Sequence, residues 1–432
     1  MVKKVIEFLE KYFVPVAGRI GSQRHLVAVR DGFVAIMPLV LAGSFAVLIN
    51  NLPIQAFQNL MVSVFGEGWK SFGGNVWMGS FAVMSLVIVF SVSYNLAKSY
   101  DSNGLAAGLM GFASLMTITQ SAADAWAIPY QWTGALGLFV ALFVALVSTE
   151  IFVRLSNNKK LVIKMPEGVP PAVGRSFAAL IPSVITLCVF ALIKVLTTAA
   201  GMIDIHETIY SVLQAPLQGM ANTLPSAMLV AFLVHLLWFF GLHGTNILAP
   251  MINAVYLPAI EQNITAFSAG AAIPNIVTAP FFDAFVYMGG AGTTIGLLAA
   301  IFIASKRASN RSIAKLATPP ALFNINEPIL FGMPLVLSAY YAIPFILTPV
   351  VLTITSYTAI VIGLVPRTIA IVPWTTPPII GGFLVTGSVM GSLLQVVNIA
   401  IAIAMYLPFI FIAEKMEKKQ VQAMQQEEQV GA

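Results

Sequence analysis

The sequence predicts an all-α polytopic membrane protein, with broken membrane-embedded segments and interfacial amphipathic helices. Three observations lead there. Of 432 residues, 58% are hydrophobic and 9% are charged, against roughly 25% charge in an ordinary soluble domain. Apolar runs of about 18 to 25 residues recur along the chain, the length a helix needs to cross a hydrocarbon core. The runs are continuous and do not alternate, which argues against a β-barrel. The formal charge of +5 is distributed among loops and gives no nucleic-acid signal. The single cysteine, Cys188, lies inside an apolar run, which leaves no internal disulfide, thiolate metal site or redox chemistry.

The elements follow in chain order. Residues 1–30 form a basic, partly amphipathic leader with Lys3, Lys4, Lys11, Arg19, Arg24 and Arg30. No apolar core with a small-residue cleavage site follows those charges, so the leader is expected to stay and lie on the cytoplasmic membrane surface. Spans are expected at about 33–50, 76–97, 105–119, 134–153 and 177–200, separated by polar breaks. The basic cluster Arg154, Lys159, Lys160 and Lys164 belongs in the cytoplasm, whereas the loops with Glu67 and Asp124 are poor in Lys and Arg. Four crossings from Arg30 return the chain inside at Arg154, so the two charge signals agree. Residues 31–175 thus read as a regular N-terminal bundle, and 176–222 as a fifth span followed by an interfacial helix, "GMIDIHETIYSVLQAPLQGM".

Residues 223–413 are less regular. A span begins at Pro225, and from Leu242 the apolar stretches are cut repeatedly: "GLHGTNILAP", "AIPNIVTAPFFDAF", "TPPALFNINEPILFG" and "VPWTTPPIIGG". Irregular backbone at membrane depth survives only when buried in protein or lining a wet cavity, so the site is expected in this half. "ATPPALFNINEP" and "WTTPPIIGG" echo each other as two Pro-interrupted hairpin candidates. The basic loop "SKRASNRSIAK" and the tail, residues 414–432, are expected in the cytoplasm.

Glu327 is the most informative residue. Pro328 has no N–H and fits the first turn of a helix through "PILFGMPLV", which sets Glu327 at a half-helix N-terminus. The helix dipole there favours a carboxylate. A bare capping role is the alternative, but Asn or Ser could cap without a charge that costs about 2.5 kcal/mol or more at membrane depth. Asn324 and Asn326 either supply amides to a hydroxyl-rich ligand or satisfy backbone in a broken helix. His243, flanked by Gly241 and Gly244 and followed by Thr245 and Asn246, combines flexible backbone with a ring that can donate or accept. His235 reads as an interhelical hydrogen-bonding residue, and His25 and His206 as parts of interfacial helices. Trp238 and Trp374 offer indole faces to sugar C–H faces, or anchor the chain at the membrane interface. Asp283, preceded by Asn275 and Thr278, reads as a structural hairpin ligand or as a substrate contact.

No Walker A sequence, metal-ligand cluster or periodic arginine helix occurs. The residues by themselves therefore point to transport of a polar, neutral solute with no cofactor and no metal.

"GLHGTN" at 241–246 together with "NINEPILFG" at 324–332 resembles enzyme IIC, the membrane permease of the bacterial phosphoenolpyruvate-dependent sugar phosphotransferase system. More narrowly it resembles the lactose/cellobiose/diacetylchitobiose family, and "FLEKYFVPVAGRIGSQRHLVAVRDGF" is similar to that family's opening. The resemblance implies a homodimer of about ten-helix protomers in the bacterial cytoplasmic membrane. Its N-terminal half would start the dimer scaffold, two re-entrant hairpins would hold a β-linked disaccharide, and both termini would be cytoplasmic. Glu327 and His243 would hold the hydroxyl to be phosphorylated, with Trp238, Asn246, Asn324, Asn326 and Trp374 completing the pocket. The phosphoryl donor would be a cysteine on a separate enzyme IIB, since Cys188 is expected to be buried in a span. A proton-coupled sugar symporter and a sugar-binding receptor are the other readings of the same residues.

Overall fold

The computed structural model describes residues 2–430, apart from Pro53, residues 123–126, Val162, Lys164, Glu167, Val169, Pro334 and Ala339. Side chains are described except at 2–7, 9–10, Pro171, Ala172, Arg175 and 417–430. Asp124 and Lys164, and the side chains of Lys3 and Lys4, therefore lie outside the described residues.

Every regular element described is helical. The N-terminal part runs α1 (Val2–Gly21), α2 (Arg24–Asn50), α3 (Gln55–Phe65), α4 (Lys70–Met78), α5 (Met84–Lys98), α6 (Gly104–Ile118), α7 (Leu138–Ser156) and α8 (Pro171–Ala199). Next come α9 (Ile205–Ile209), a π turn, α10 (Ala215–Ala221), α11 (Leu224–Phe239) and α12 (Gly244–Ser268). The rest is α13 (Ala279–Phe285), α14 (Thr294–Ala304), α15 (Ala308–Ala321), α16 (Glu327–Gly332), α17 (Ala342–Val361), α18 (Ile380–Thr386) and α19 (Val389–Val430). Six helices among the described residues are long and apolar enough to cross a membrane, or seven if the pair 205–221 and α11, bent by 78°, is one span. The number expected, about ten, is not reached by such helices alone.

Helix starts follow local chemistry. Gln23 and Asn103 accept from the backbone N–H of Leu26 (2.8 Å) and Ala106 (3.2 Å), each satisfying an orphan donor of the first turn. Proline occupies the first turn of α8, α11, α13 and α16, where its missing N–H costs nothing.

Packing divides along the chain. One core gathers Phe33, Ile88, Val92, Ala141 and Val144 from α2, α5 and α7. Two others gather residues from 227 onward, around Phe239, Phe345 and Tyr406 and around Phe281, Phe285 and Val385. Helix α12 joins them: Leu248 and Ile252 pack on the C-terminal cores, Leu257, Ile260 and Ile264 on the N-terminal one. Close backbone approach needs glycine at Gly32, where a Cβ would fall 2.5 Å from Val92, as small residues allow between membrane helices.

Several expectations change. "SKRASNRSIAK" is not a loop, because α15 begins at Ala308 and runs through Pro319 and Pro320. Similarly, "GLHGTNILAP" is not broken at its proline, since α12 continues through Pro250 and Pro258. A proline removes one hydrogen bond and bends a helix, yet neighbouring turns can hold it together. The segment 205–221 is helical as expected, but it turns its polar side to the protein. His206, Gln214 and Gln218 are buried while Val212, Leu213 and Met220 are exposed. His206 stacks on Trp132 at 5.5 Å and bonds Thr119 at 3.0 Å, so it is a core residue. His25 ties the start of α2 to Glu150 of α7 at 2.9 Å. Cys188 is exposed on α8, not buried. Thr186 and Phe190 face inward, and a residue two positions from either points about 200° around the helix, away from the core.

Candidate functional site

A cavity of about 340 Å³ opens in the C-terminal half, between α11, α12, α13 and the segments 287–291, 324–327 and 374. Eight of the residues singled out by sequence line it: Trp238, His243, Asn246, Asp283, Asn324, Asn326, Glu327 and Trp374. Gly241, Gly244, Asn275 and Thr278 do not.

The turn between α11 and α12 builds one wall. Leu242 N–H bonds back to Leu237 O at 3.0 Å and Gly241 takes a positive φ of 75°, closing α11 with a glycine in the left-handed region. A Cβ on Gly244 would fall 2.1 Å from Val234 O, so this glycine lets α12 start against the backbone of α11. Both glycines shape the turn without facing the cavity. The turn sets the His243 ring 4.2 Å from the Trp238 ring, centroid to centroid. His243 caps α12: its Nδ1 accepts from Asn246 N–H at 3.3 Å and meets Thr245 Oγ1 at 3.0 Å. A ring nitrogen that accepts carries no proton, so the neutral imidazole keeps its proton on Nε2.

The opposite wall is held by asparagines. Asn324, in the left-handed region at φ 62°, accepts from Gly289 N–H at 2.7 Å and donates to Trp374 O at 2.6 Å and Thr376 O at 3.0 Å. Asn326 donates to Ala291 O at 2.7 Å. The echoing segments "FNINEP" and "PWTTPP" are thereby joined directly, and the amides of both asparagines satisfy backbone. Glu327 opens α16 with Pro328 in the first turn. The helix ends at Gly332, short of the expected "PILFGMPLV", of which Pro334 lies outside the described residues. The Glu327 side chain is exposed and makes no ion pair among the described residues. Trp374, 57% exposed, stands at the same outer end.

The inner end is under-satisfied. Trp238 Nε1, His235 Nε2 and Tyr287 Oη are buried without a hydrogen-bond partner among the described residues, and all three residues line the cavity. Buried polar atoms are nearly always paired, so three around one cavity call for a polar occupant. His235 donates within its own helix, Nδ1 to Ala231 O at 2.6 Å, and so is not an interhelical tie. Asp283 lines the same end and ties no hairpin backbone among the described residues.

Asn275 and Thr278 are used elsewhere. Asn275 bonds Ala259 O and Gln262 Oε1, each at 2.9 Å, and Thr278 meets Thr368 Oγ1 at 2.7 Å while capping α13. They fasten the 275–278 segment to α12 and to the chain near 368.

The family model "Phosphotransferase system, EIIC" matches residues 30–349. The chain belongs to that family. This EIIC is 38% identical to the lichenan permease IIC component of Bacillus subtilis (strain 168), over 97% of this chain and 96% of the relative. It is 39% identical to the cellobiose-specific EIIC component of Geobacillus stearothermophilus, over 97% and 96% of the two chains. The crystal structure of the transporter ChbC, the IIC component from the N,N'-diacetylchitobiose-specific phosphotransferase system, matches with a TM-score of 0.91 and 40% identity. The match covers 96% of this chain and 99% of that one. The resemblance drawn from 241–246 and 324–332 is borne out, as is its narrower form. Membership makes this EIIC a multi-pass cell-membrane permease component that handles a sugar and works with a IIB component.

Sequence reasoning did not single out Tyr287 or Asn253, and gave His235 a different role. One signal was available: His235 and Trp238 are three apart on one helix and so share a face; Tyr287 lies beyond the end of α13, where no periodicity marks it.

Proposed function

We propose that this EIIC carries a β-linked disaccharide of the cellobiose or diacetylchitobiose type across the cytoplasmic membrane, for phosphorylation of its 6-hydroxyl by phosphorylated IIB. The observation that carries the reading is the convergence of the Glu327 carboxylate, the His243 ring and two indoles on one cavity whose inner end lacks polar partners. His243 Nε2–H donates to the hydroxyl oxygen and orients it. Glu327 accepts the hydroxyl proton as that oxygen attacks phosphorus. The S–P bond of the donor phosphocysteine breaks and its sulfur leaves as thiolate. Glu327, being exposed, returns the proton to water. Trp238 and Trp374 stack on the sugar faces, and Asp283 and Asn246 serve its hydroxyls; Asn324 and Asn326 act by holding the walls.

In the same reading, both termini are cytoplasmic and the protomer makes about ten crossings. The hairpins around 319–332 and 374–386 are re-entrant. Residues 31–175 begin a homodimer scaffold against which 223–413 moves, with 176–222 as the link. The exposed apolar side chains of α8, among them Leu180, Val184, Leu192 and Val195, suit lipid or a second protomer.

Proteoliposomes enclosing phosphorylated IIB test this. Labelled disaccharide should accumulate as phosphosugar only with phospho-IIB, and Glu327→Gln should slow phosphorylation about 10²- to 10⁴-fold. Uptake that follows a proton gradient and ignores IIB would replace the permease reading with that of a symporter.

A further inference from the structure

The helix leading into the Glu327 loop carries an unbalanced charge. Between Asp283 and Glu327 the sequence has no acid and four cations, Lys306, Arg307, Arg311 and Lys315. Arg311 and Lys315 are four apart on α15 and share one side of it, while Ala314, Ala317 and Ala321 form its buried side. Lys306, Arg311 and Lys315 are exposed. The carboxylate packed on this segment, Glu414 of α19, is engaged by the Ser305 hydroxyl and by the Lys306 N–H at 3.3 Å. It fastens the start of the helix. Helix α15 packs on α16, and the link between them exposes Leu322, Phe323 and Ile325 immediately before Glu327.

We infer that the Arg311–Lys315 side of α15, with Leu322 and Phe323, is the surface on which the phosphorylated IIB component docks. The inference rests on the group-translocation reading above. A phosphoryl group brings about 1.5 to 2 negative charges towards a cavity whose mouth already holds the Glu327 carboxylate, and those charges repel. The element packed directly on the Glu327 helix offers compensating positive charge. The two cations stand on the helix that runs directly into the Glu327 loop, so they flank the path the donor must take. Exposed apolar side chains beside a rim of cations match the make-up of a transient interface, in which the charges govern encounter rate and salt dependence. Anionic lipid headgroups are the other chemistry that could occupy such a surface, and the test separates the two.

Phosphosugar formation is measured with the full chain in nanodiscs of zwitterionic lipid, with phospho-IIB of a cellobiose- or diacetylchitobiose-type system titrated in. The double variant Arg311→Glu/Lys315→Glu should raise KM for phospho-IIB about tenfold, flatten its salt dependence and leave kcat within about twofold. Disaccharide affinity should be unchanged. If reversal of both charges impairs folding, seen as lost disaccharide binding, the double variant Arg311→Gln/Lys315→Gln should still raise KM about threefold. An unchanged KM overturns the docking surface, and so does a defect that appears only in nanodiscs rich in anionic lipid. If the wild-type protein makes no phosphosugar with phospho-IIB, the group-translocation reading fails first, and that arm is read separately.

Discussion

Asn324 sustains the wall of the cavity, and the Asn324→Ala variant measures how much. The side chain is nearly buried and makes bonds of 2.7, 2.6 and 3.0 Å to Gly289 N, Trp374 O and Thr376 O. Each is worth about 1 kcal/mol net, and more where the backbone group left behind cannot reach water. Asn324 also sits at φ 62°, a region that Asn tolerates and Ala enters at a cost of about 1 kcal/mol. The sum is about 3 to 5 kcal/mol, all of it holding 289, 324 and 374–376 together. Thermal unfolding of the purified protein in detergent should fall by roughly 3 to 6 °C, and disaccharide affinity, read by calorimetry, should fall at least tenfold. The Asn324→Gly variant keeps the backbone conformation without the amide, so it should recover about 1 kcal/mol of the loss. If Asn324→Ala melts with the wild type and binds sugar equally well, the wall is not held in this way. If Ala and Gly variants coincide, the backbone contribution is wrong.

Other outcomes follow from the same geometry. Trp238→Phe keeps an aromatic ring but loses the second ring of the indole with its Nε1–H, which has no hydrogen-bond partner among the described residues; disaccharide affinity should drop about tenfold, and the smaller buried ring should lower melting modestly. Gly244→Ala puts a methyl 2.1 Å from Val234 O, so a loss of about 1–3 kcal/mol should appear in thermal unfolding. Cys188→Ser, on the outer side of α8 and away from the cavity, should leave phosphosugar formation intact.

Much of the fold was legible because its signals are local. Continuous apolar runs gave helices. Two Pro-interrupted segments marked where regular helix fails. Proline was over-read at 250 and 319–320, since a missing hydrogen bond in a helix supported by neighbours bends the helix without ending it. The amphipathic segment 205–221 was recognised, but not which way it faces: with lipid outside, the polar side of a helix turns inward, as His206, Gln214 and Gln218 show.

At the cavity, residue type alone could not separate neighbours in one broken segment. Asp283 faces inward while Thr278, five residues earlier, is bonded to Thr368. Asn275 is likewise spent on α12, and His235 joins the cavity through a nitrogen that the pattern gave no reason to favour. Composition and two short motifs, by themselves, determined a helical membrane protein and its family, because both are written in contiguous residues. Only the tertiary structure decided which polar groups are consumed by backbone and which are left facing the cavity. That choice depends on helix rotation and on contacts such as Asn324 with Trp374, 50 residues apart, where burial makes each unpaired donor or acceptor costly enough to fix its orientation.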